Sequence, residues 1–352
     1  MTTAVLIVSS ENGLGLIRLN RPEAVHALTL SMCEEIIEAL QAWETDPAIS
    51  AVTIDHNEGR GFCAGGDIRL LFEDLRSGGK QARAFFHTEY RLNLLLFTLK
   101  KPVACFMDGI VMGGGAGLAM PCRYRIATEL TVFAMPETGI GLFPDVGGGW
   151  FLSRLPGRMG EWLALTSARL NGADCFSLGL ATHYVPHDAL PDIKVQIAEH
   201  PEAIEKILKI AAISPPPSQI ENFHGSIDRL FAADRIEDIV SILNADSSPW
   251  AKEQLIEISK KSPFSCKIAL RQLANSRRLS RFADNMAMEF RIASRIISKP
   301  DFVEGVRAFV IDKDNHPRWV PPRFDDVTNE SVEAMFAALP QGEEWAPLGR
   351  DL

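Results

Sequence analysis

No run of about 18 consecutive apolar residues occurs in the chain, so no segment reads as a membrane-spanning helix and no membrane association is expected. Basic residues are in deficit, with 36 Lys and Arg against 45 Asp and Glu and a net charge of -9. Non-specific nucleic-acid binding depends on neutralising phosphates with Lys and Arg, so nucleic acid is not an expected partner, and an anionic ligand would need a local basic patch. Cysteine pairing is missing as well. Cys33, Cys63, Cys105, Cys122, Cys175 and Cys266 are scattered with no CxxC pair and no zinc-ligand spacing, and they read as reduced core thiols. His183 and His187 have a metal-ligand spacing, but Pro186 lies between them and no third ligand has a recognisable offset, so no metal is expected. A GxSxG elbow is lacking, which removes the usual serine nucleophile, and Cys63 has no histidine with an assignable relation to it. Trp150 and Phe151 read as packing residues rather than a stacking platform. The opening MTTAVLIVSSENGLGLIRLN has neither a basic n-region nor an Arg-rich amphipathic presequence, and a cytoplasmic setting is expected.

With 352 residues, 46% hydrophobic and 23% charged, the composition is that of a globular chain large enough for one big core and an appendage. Val5 to Val8 and Leu14 to Leu19 flank a Ser-Ser-Glu-Asn-Gly break and predict a hairpin. A helix follows, in which Ser31 and Glu34 have capping-box spacing and Cys33, Ile36, Ile37 and Leu40 share a face. Ala51 to Asp55 reads as a buried strand running into the glycine turn FCAGGDI and a helix. After a helical stretch over 80 to 98, Val103 to Met107 is again a strand, leading into DGIVMGGGAGLAM. This recurrence of strands, glycine turn and helix predicts an α/β architecture for 1–200. SPPPS at 214 to 218 breaks the chain, and a helical region is expected over 201–352. There Ser262-Pro263 is a helix start, DFVEGVRAFVI is helical, and DKDNHPRWVPPRF ends regular structure as an ordered tail.

The chemistry concentrates in MPETGIGLFPDVGGG, residues 135 to 149, which sets Glu137 and Asp145 eight residues apart among apolar and glycine residues. A carboxylate among Met, Ile, Leu and Phe loses hydration, which raises its pKa toward the range useful for proton transfer or nucleophilic attack. The competing structural reading makes Glu137 a helix cap or an arginine partner and Asp145 the start of a turn. FCAGGDI and VMGGGAG match neither a P-loop nor a dinucleotide fingerprint. Either turn alone reads as tight helix-to-sheet packing, which glycine permits by lacking a Cβ; taken together with the acidic segment, their outward N–H groups can meet at one carbonyl oxygen and form an oxyanion hole.

LNRPEAVHAL, FCAGGDI, DGIVMGGGAGLAM and MPETGIGLFPDVGGG, in that order, resemble the enoyl-CoA hydratase/isomerase (crotonase) superfamily. PETGIGLFPDVGGGWFLSRLPG, SPFSCKIALRQL and DFVEGVRAFVIDKDNHPRW resemble its 3-hydroxyisobutyryl-CoA hydrolase branch, so the likeness spans nearly the whole chain. The resemblance implies a crotonase-type core of repeated ββα units binding acyl-CoA, with coenzyme A entering as part of the substrate and no separate cofactor. It implies that the Gly66 and Gly114 N–H groups polarise the thioester carbonyl, that Glu137 acts as nucleophile or general base, and that Asp145 binds the 3-hydroxyl or assists hydrolysis. Glu89, in HTEYRLN, matches a substrate-contacting acid of the hydrolase branch; on bottom-up grounds it reads equally as a solvated helix acid near Arg91. Ala24, Val25, His26, Ala64, Asp67 and Ile68 would follow the pantetheine and adenine, with Arg60, Arg69 or residues near Lys313 as phosphate partners.

A hydratase of this superfamily uses two glutamates, and the first should stand where this chain has Gly117. That disfavours hydration and leaves one-base isomerisation as the stronger enzymatic rival; a non-catalytic acyl-CoA-binding homologue is the rival of another class. The expected reaction is hydrolysis of 3-hydroxyisobutyryl-CoA in valine breakdown, with 3-hydroxypropionyl-CoA a second substrate. The superfamily often forms trimers or hexamers, which keeps a second copy of the chain among the expected partners.

Overall fold

The computed structural model describes residues 5–75 and 78–349, which gather into two compact units. The first comprises the stretch ending at Asp67, Arg91–Ala134 and Arg169–Glu221; the second comprises Ile68–Tyr90, Met135–Ala168 and the stretch beginning at Asn222. The acidic segment 135 to 149 thus belongs with the helical residues of the second unit.

All strands of the described residues lie in the first unit. The predicted hairpin is present as β1 (Leu6–Glu11) and β2 (Leu14–Leu19), antiparallel around Asn12 and Gly13, both at positive φ as a two-residue turn requires. β3 (Ala51–His56), β4 (Val103–Met107), β6 (Tyr124–Ala127) and β9 (His183–Tyr184) extend it in parallel, giving the order β1-β2-β3-β4-β6-β9. A smaller sheet orders as β5 (Ile110–Met112), β7 (Val132–Ala134) and β8 (Leu170–Asn171). Parallel strands buried on both faces read as continuous apolar runs, and VACFM of β4 is buried throughout. Ala104, Phe106, Tyr124 and Ile126 pack with Leu190, Ile193 and Ile197 of helix Leu190–Glu199. Fully burying one of the leucine, isoleucine or phenylalanine side chains here contributes about 1.5–3 kcal/mol.

Helix Leu30–Thr45 buries the predicted face, Cys33, Ile36, Ile37 and Leu40. Its cap differs from the expectation. Thr29, not Ser31, accepts from the Met32 N–H at 3.3 Å, and Ser31 Oγ instead lies 3.1 Å from Thr29 Oγ1. The threonine sits just before the first helical residue with extended backbone, which is where a capping hydroxyl reaches the open N–H groups.

The second unit is helical. Ser262 caps helix Pro263–Ser276 through the Ser265 N–H at 3.1 Å, with proline at the first position as read from the sequence. DFVEGVRAFVI forms helix Pro300–Val306 and continues as a π-turn, Arg307–Ile311. Arg307 closes it with ion pairs to Glu304, Asp312 and Asp314 at 2.8, 2.7 and 2.6 Å. No regular element follows until Phe324, yet the tail is anchored, for the Trp319 indole donates to the Lys260 carbonyl at 3.0 Å. Helix Asn329–Phe336, capped by Thr328, was not legible in the pattern. No helix of the described residues is long and apolar enough to cross a membrane.

Candidate active site

In the second unit, Glu137 opens a single helical turn, Glu137–Ile140, that is fixed from three directions. The Leu142 N–H donates to the Glu137 carbonyl at 3.0 Å, Thr138 Oγ1 donates to the Ala164 carbonyl at 3.0 Å, and the Ser262 N–H donates to the Thr138 carbonyl at 3.0 Å. Gly141 must be glycine: its φ is +74°, and a Cβ there would lie 2.2 Å from the Asp301 carbonyl oxygen. The Glu137 side chain is only 4% exposed, and neither carboxylate oxygen has a hydrogen-bond partner among the described residues. Neither the helix-cap nor the arginine-pair reading of Glu137 therefore applies. Burial first, and the Asp145 charge second, push its pKa well above the ordinary carboxylate value.

Asp145 does begin a turn, since its carbonyl accepts the Gly148 N–H at 2.6 Å. Its side chain, 4% exposed, accepts the Tyr90 hydroxyl at 2.7 Å. Burial raises its pKa to about 7, against the opposing effect of that hydrogen bond. Glu89 is 2% exposed, which rules out the solvated-helix-acid reading. Burial, then the charges of Asp145 and Glu137, raise its pKa well above the carboxylate range. Burial and neighbouring acid charge both raise the pKa values of Glu89 and Glu137, so these carboxyls do not all ionise near neutral pH. Such a group can hold one carboxylate as a base or nucleophile while a neighbour stays protonated to donate.

The sequence reading missed the residues that hold this cluster. Tyr90 stood beside Glu89 in HTEYRLN without being singled out. Glu289, 0% exposed, accepts from the Gly147 and Gly149 N–H groups at 2.7 and 3.0 Å, from Gln272 at 2.9 Å and from Asn285 at 2.7 Å. The only local signal was an Asn and a Glu four apart on one helix, which is common on exposed faces.

In the first unit the two glycine turns are brought side by side. The Met112 N–H donates to the Cys63 carbonyl at 3.0 Å and the Cys63 N–H to Ile110 at 2.9 Å. A Cβ on Gly65 would stand 3.2 Å from the Gly114 nitrogen, and one on Gly115 would stand 2.3 Å from the Cys63 oxygen. Gly114 starts helix Gly114–Ala119, where first-turn N–H groups have no intrahelical acceptor. Gly66 bridges Leu28, which is bonded through Gly65 and Asp67, so strand alternation turns the Gly66 N–H to the opposite side. Gly117 is buried on the same helix, its carbonyl accepting from Asn93 at 3.0 Å, and it offers no side chain for chemistry.

The expected pantetheine-following residues of this unit form a structured corner. Val25 and His26 have φ of +48° and +56°, the Ala64 N–H donates to the Val25 carbonyl at 2.9 Å, and Asp67 pairs with Arg21 at 2.9 Å. Ile68 begins helix Ile68–Leu75 of the second unit, and Arg60, Arg69 and Lys313 are exposed. His183 and His187 engage separate partners, Thr182 Oγ1 at 2.8 Å and Asp108 at 2.9 Å. All six cysteines are buried, as read from the sequence. Trp150 and Phe151 pack on Phe282, with ring centroids 5.7 and 5.5 Å apart.

An α/β fold with paired glycine turns and a buried carboxyl cluster defines a crotonase-type protein. The chain belongs to the enoyl-CoA hydratase/isomerase family, whose sequence profile matches residues 14–336. It is 41% identical over 347 residues to a 3-hydroxyisobutyryl-CoA hydrolase, mitochondrial, of Gallus gallus, covering 96% of this chain and 90% of that one. It is also 41% identical over 344 residues to the Homo sapiens protein of the same name, covering 92% and 86%. Among solved structures, a carnitinyl-CoA dehydratase from Mycobacterium thermoresistibile superposes with a TM-score of 0.94 at 36% identity, covering 99% and 100%.

Proposed function

We propose that this protein hydrolyses a short branched 3-hydroxyacyl-CoA thioester, 3-hydroxyisobutyryl-CoA foremost, releasing 3-hydroxyisobutyrate and coenzyme A in valine catabolism. The observation that carries the reading is a carboxylate, Glu137, buried without a partner beside Asp145 and Glu89, in a chain alike over nearly all its length to proteins named for that hydrolysis.

In the proposed mechanism the Gly66 and Gly114 N–H groups hold the thioester carbonyl oxygen and stabilise the negative charge it gains. Glu137 then works by one of two routes. As nucleophile, its carboxylate oxygen bonds to the acyl carbon, the C–S bond breaks and the thiolate of coenzyme A leaves; water hydrolyses the resulting anhydride. As general base, it takes a proton from a water that attacks the same carbon, and the thiolate leaves from the tetrahedral intermediate. Asp145 binds the 3-hydroxyl or supplies a proton, for which a pKa near 7 suits it. Glu89 contacts the acyl group. Hydration lacks support here because Gly117 has no carboxylate to position water. The proposed setting is cytoplasmic, whereas the Gallus gallus and Homo sapiens relatives carry mitochondrial in their names; fractionation of the source cells tests it.

The test is free-thiol release from 3-hydroxyisobutyryl-CoA by the native protein and by Glu137→Gln and Asp145→Gly. The native protein should release thiol, Glu137→Gln should lower kcat by about 10²–10⁴-fold, the range for losing a positioned base, and Asp145→Gly should weaken it. No thiol release from the native protein overturns the proposal. Trapping of an acyl adduct on Glu137 with hydroxylamine separates the nucleophilic route from the general-base route.

A further inference from the structure

The loop that carries Asp145 is held by a buried acid that has no place in the proposed chemistry. Glu289 lies on helix Phe282–Ile296 at 0% exposure, and the four groups donating to it are neutral N–H donors: the Gly147 and Gly149 backbones, Gln272 and Asn285. An acid buried without a cation is costly to ionise, and burial raises the Glu289 pKa to about 8.

It holds both sides of Asp145. Gln272 Nε2 bonds the Pro144 carbonyl at 2.7 Å and Glu289 Oε1 at 2.9 Å, which ties the residue before Asp145 to the acid. Glu289 Oε2 and Oε1 take the Gly147 and Gly149 N–H groups that follow it. Between these ties, Val146 has φ of +53° and Gly147 φ of +87°. A β-branched residue in the left-handed region is strained, and such a backbone persists only where its surroundings over-determine it. Asn285 is itself oriented by Ser276 Oγ at 2.6 Å, so the clamp has a rigid second layer.

We infer that Glu289 is a positioning residue: acting only through Gly147 and Gly149, with Gln272 as its strut to Pro144, it fixes the backbone that aims the Asp145 carboxyl at Tyr90. This rests on the hydrolase reading, and it adds a residue to which that reading gives no role.

Glu289→Gln tests this, because the amide keeps the shape but replaces one acceptor oxygen with an NH₂ that must face an N–H donor. Thiol release from 3-hydroxyisobutyryl-CoA is measured for the native protein, Glu289→Gln, Asp145→Asn and the double variant. The expected result is a kcat loss of up to about 100-fold for Glu289→Gln, the scale of a misplaced catalytic group, with KM changed by less than about threefold. In the Asp145→Asn background that loss should largely vanish, since two residues acting through one another are not additive. A purely structural role would lower activity by the same factor in both backgrounds, and that result, or an unchanged kcat, overturns the inference. Gln272→Met, which cuts the strut without touching the acid, should show the same non-additive loss if Glu289→Gln does not fold; additivity there overturns the inference equally. Native protein that releases no thiol defeats the hydrolase reading itself, an outcome distinct from native activity with an indifferent Glu289.

Discussion

Tyr90 is the side chain on which the electrostatics of the acid pair turn. Its hydroxyl donates to Asp145 at 2.7 Å, and this bond works against burial, which alone would raise Asp145 above about 7. Tyr90→Phe removes the opposing influence, so the pKa of Asp145 rises further and any limb of the pH–rate profile belonging to Asp145 moves to higher pH. Loss of a hydrogen bond to a buried carboxyl should also lower kcat/KM for thiol release by about tenfold at neutral pH. A profile over pH 5 to 9 for native and variant checks this; an acidic shift would contradict it. At this scale the sequence showed the acids and hid their setting. Glu137 and Asp145 announced themselves by apolar and glycine neighbours in one short segment. Glu89 did not, because an acid with an arginine two positions away looks solvated until tertiary packing takes it to 2% exposure. Glu289 is 144 positions from Asp145, and no local pattern could have joined them.

Among the elements, those whose cause is local were legible. The hairpin followed from Asn-Gly between apolar runs, and helix Pro263–Ser276 from Ser-Pro at its start. Helix Leu30–Thr45 was legible in its buried face but not in its cap, because Thr29 and Ser31 are both capping hydroxyls and backbone geometry chooses between them. Helix Asn329–Phe336 escaped because it follows a proline-rich stretch that reads as the end of regular structure. The short helix Gly148–Leu152 yields a direct prediction. A Cβ on Gly149 would meet Ser276 Oγ at 2.6 Å and Gln272 Nε2 at 2.7 Å, the strut of the Glu289 clamp. Gly149→Ala should therefore cost roughly 1–3 kcal/mol, the range for overpacking a well-filled interior. Thermal unfolding measures it, and an unchanged Tm would show that the network tolerates displacement.

For the molecule as a whole, the buried acids trade stability for chemistry. Glu137 has a folded-state pKa well above its ordinary 4.5, so the folded form holds the proton more tightly than the unfolded form. The stability it contributes is complete below about pH 4.5 and is lost as pH rises through the folded-state pKa. Glu137→Gln does not titrate, so the variant should unfold at higher temperature than the native protein, with a gap wider near pH 9 than near pH 5. Each kcal/mol gained corresponds to roughly 1–2 °C in a chain of 352 residues. Differential scanning calorimetry at the two pH values decides it; a gap that narrows on the alkaline side would mean that Glu137 is not held protonated by its burial.

The central claim, that this member of the enoyl-CoA hydratase/isomerase family cleaves a thioester rather than hydrating a double bond, is tested most directly by giving the native protein 3-hydroxyisobutyryl-CoA and crotonyl-CoA separately. Coenzyme A release from the first is compared with loss of the enoyl chromophore in the second. A kcat/KM for thiol release that exceeds hydration by orders of magnitude is the predicted result, since Glu137 and Asp145 are in place and Gly117 supplies no second glutamate. Efficient hydration of crotonyl-CoA with no thiol released would contradict the account.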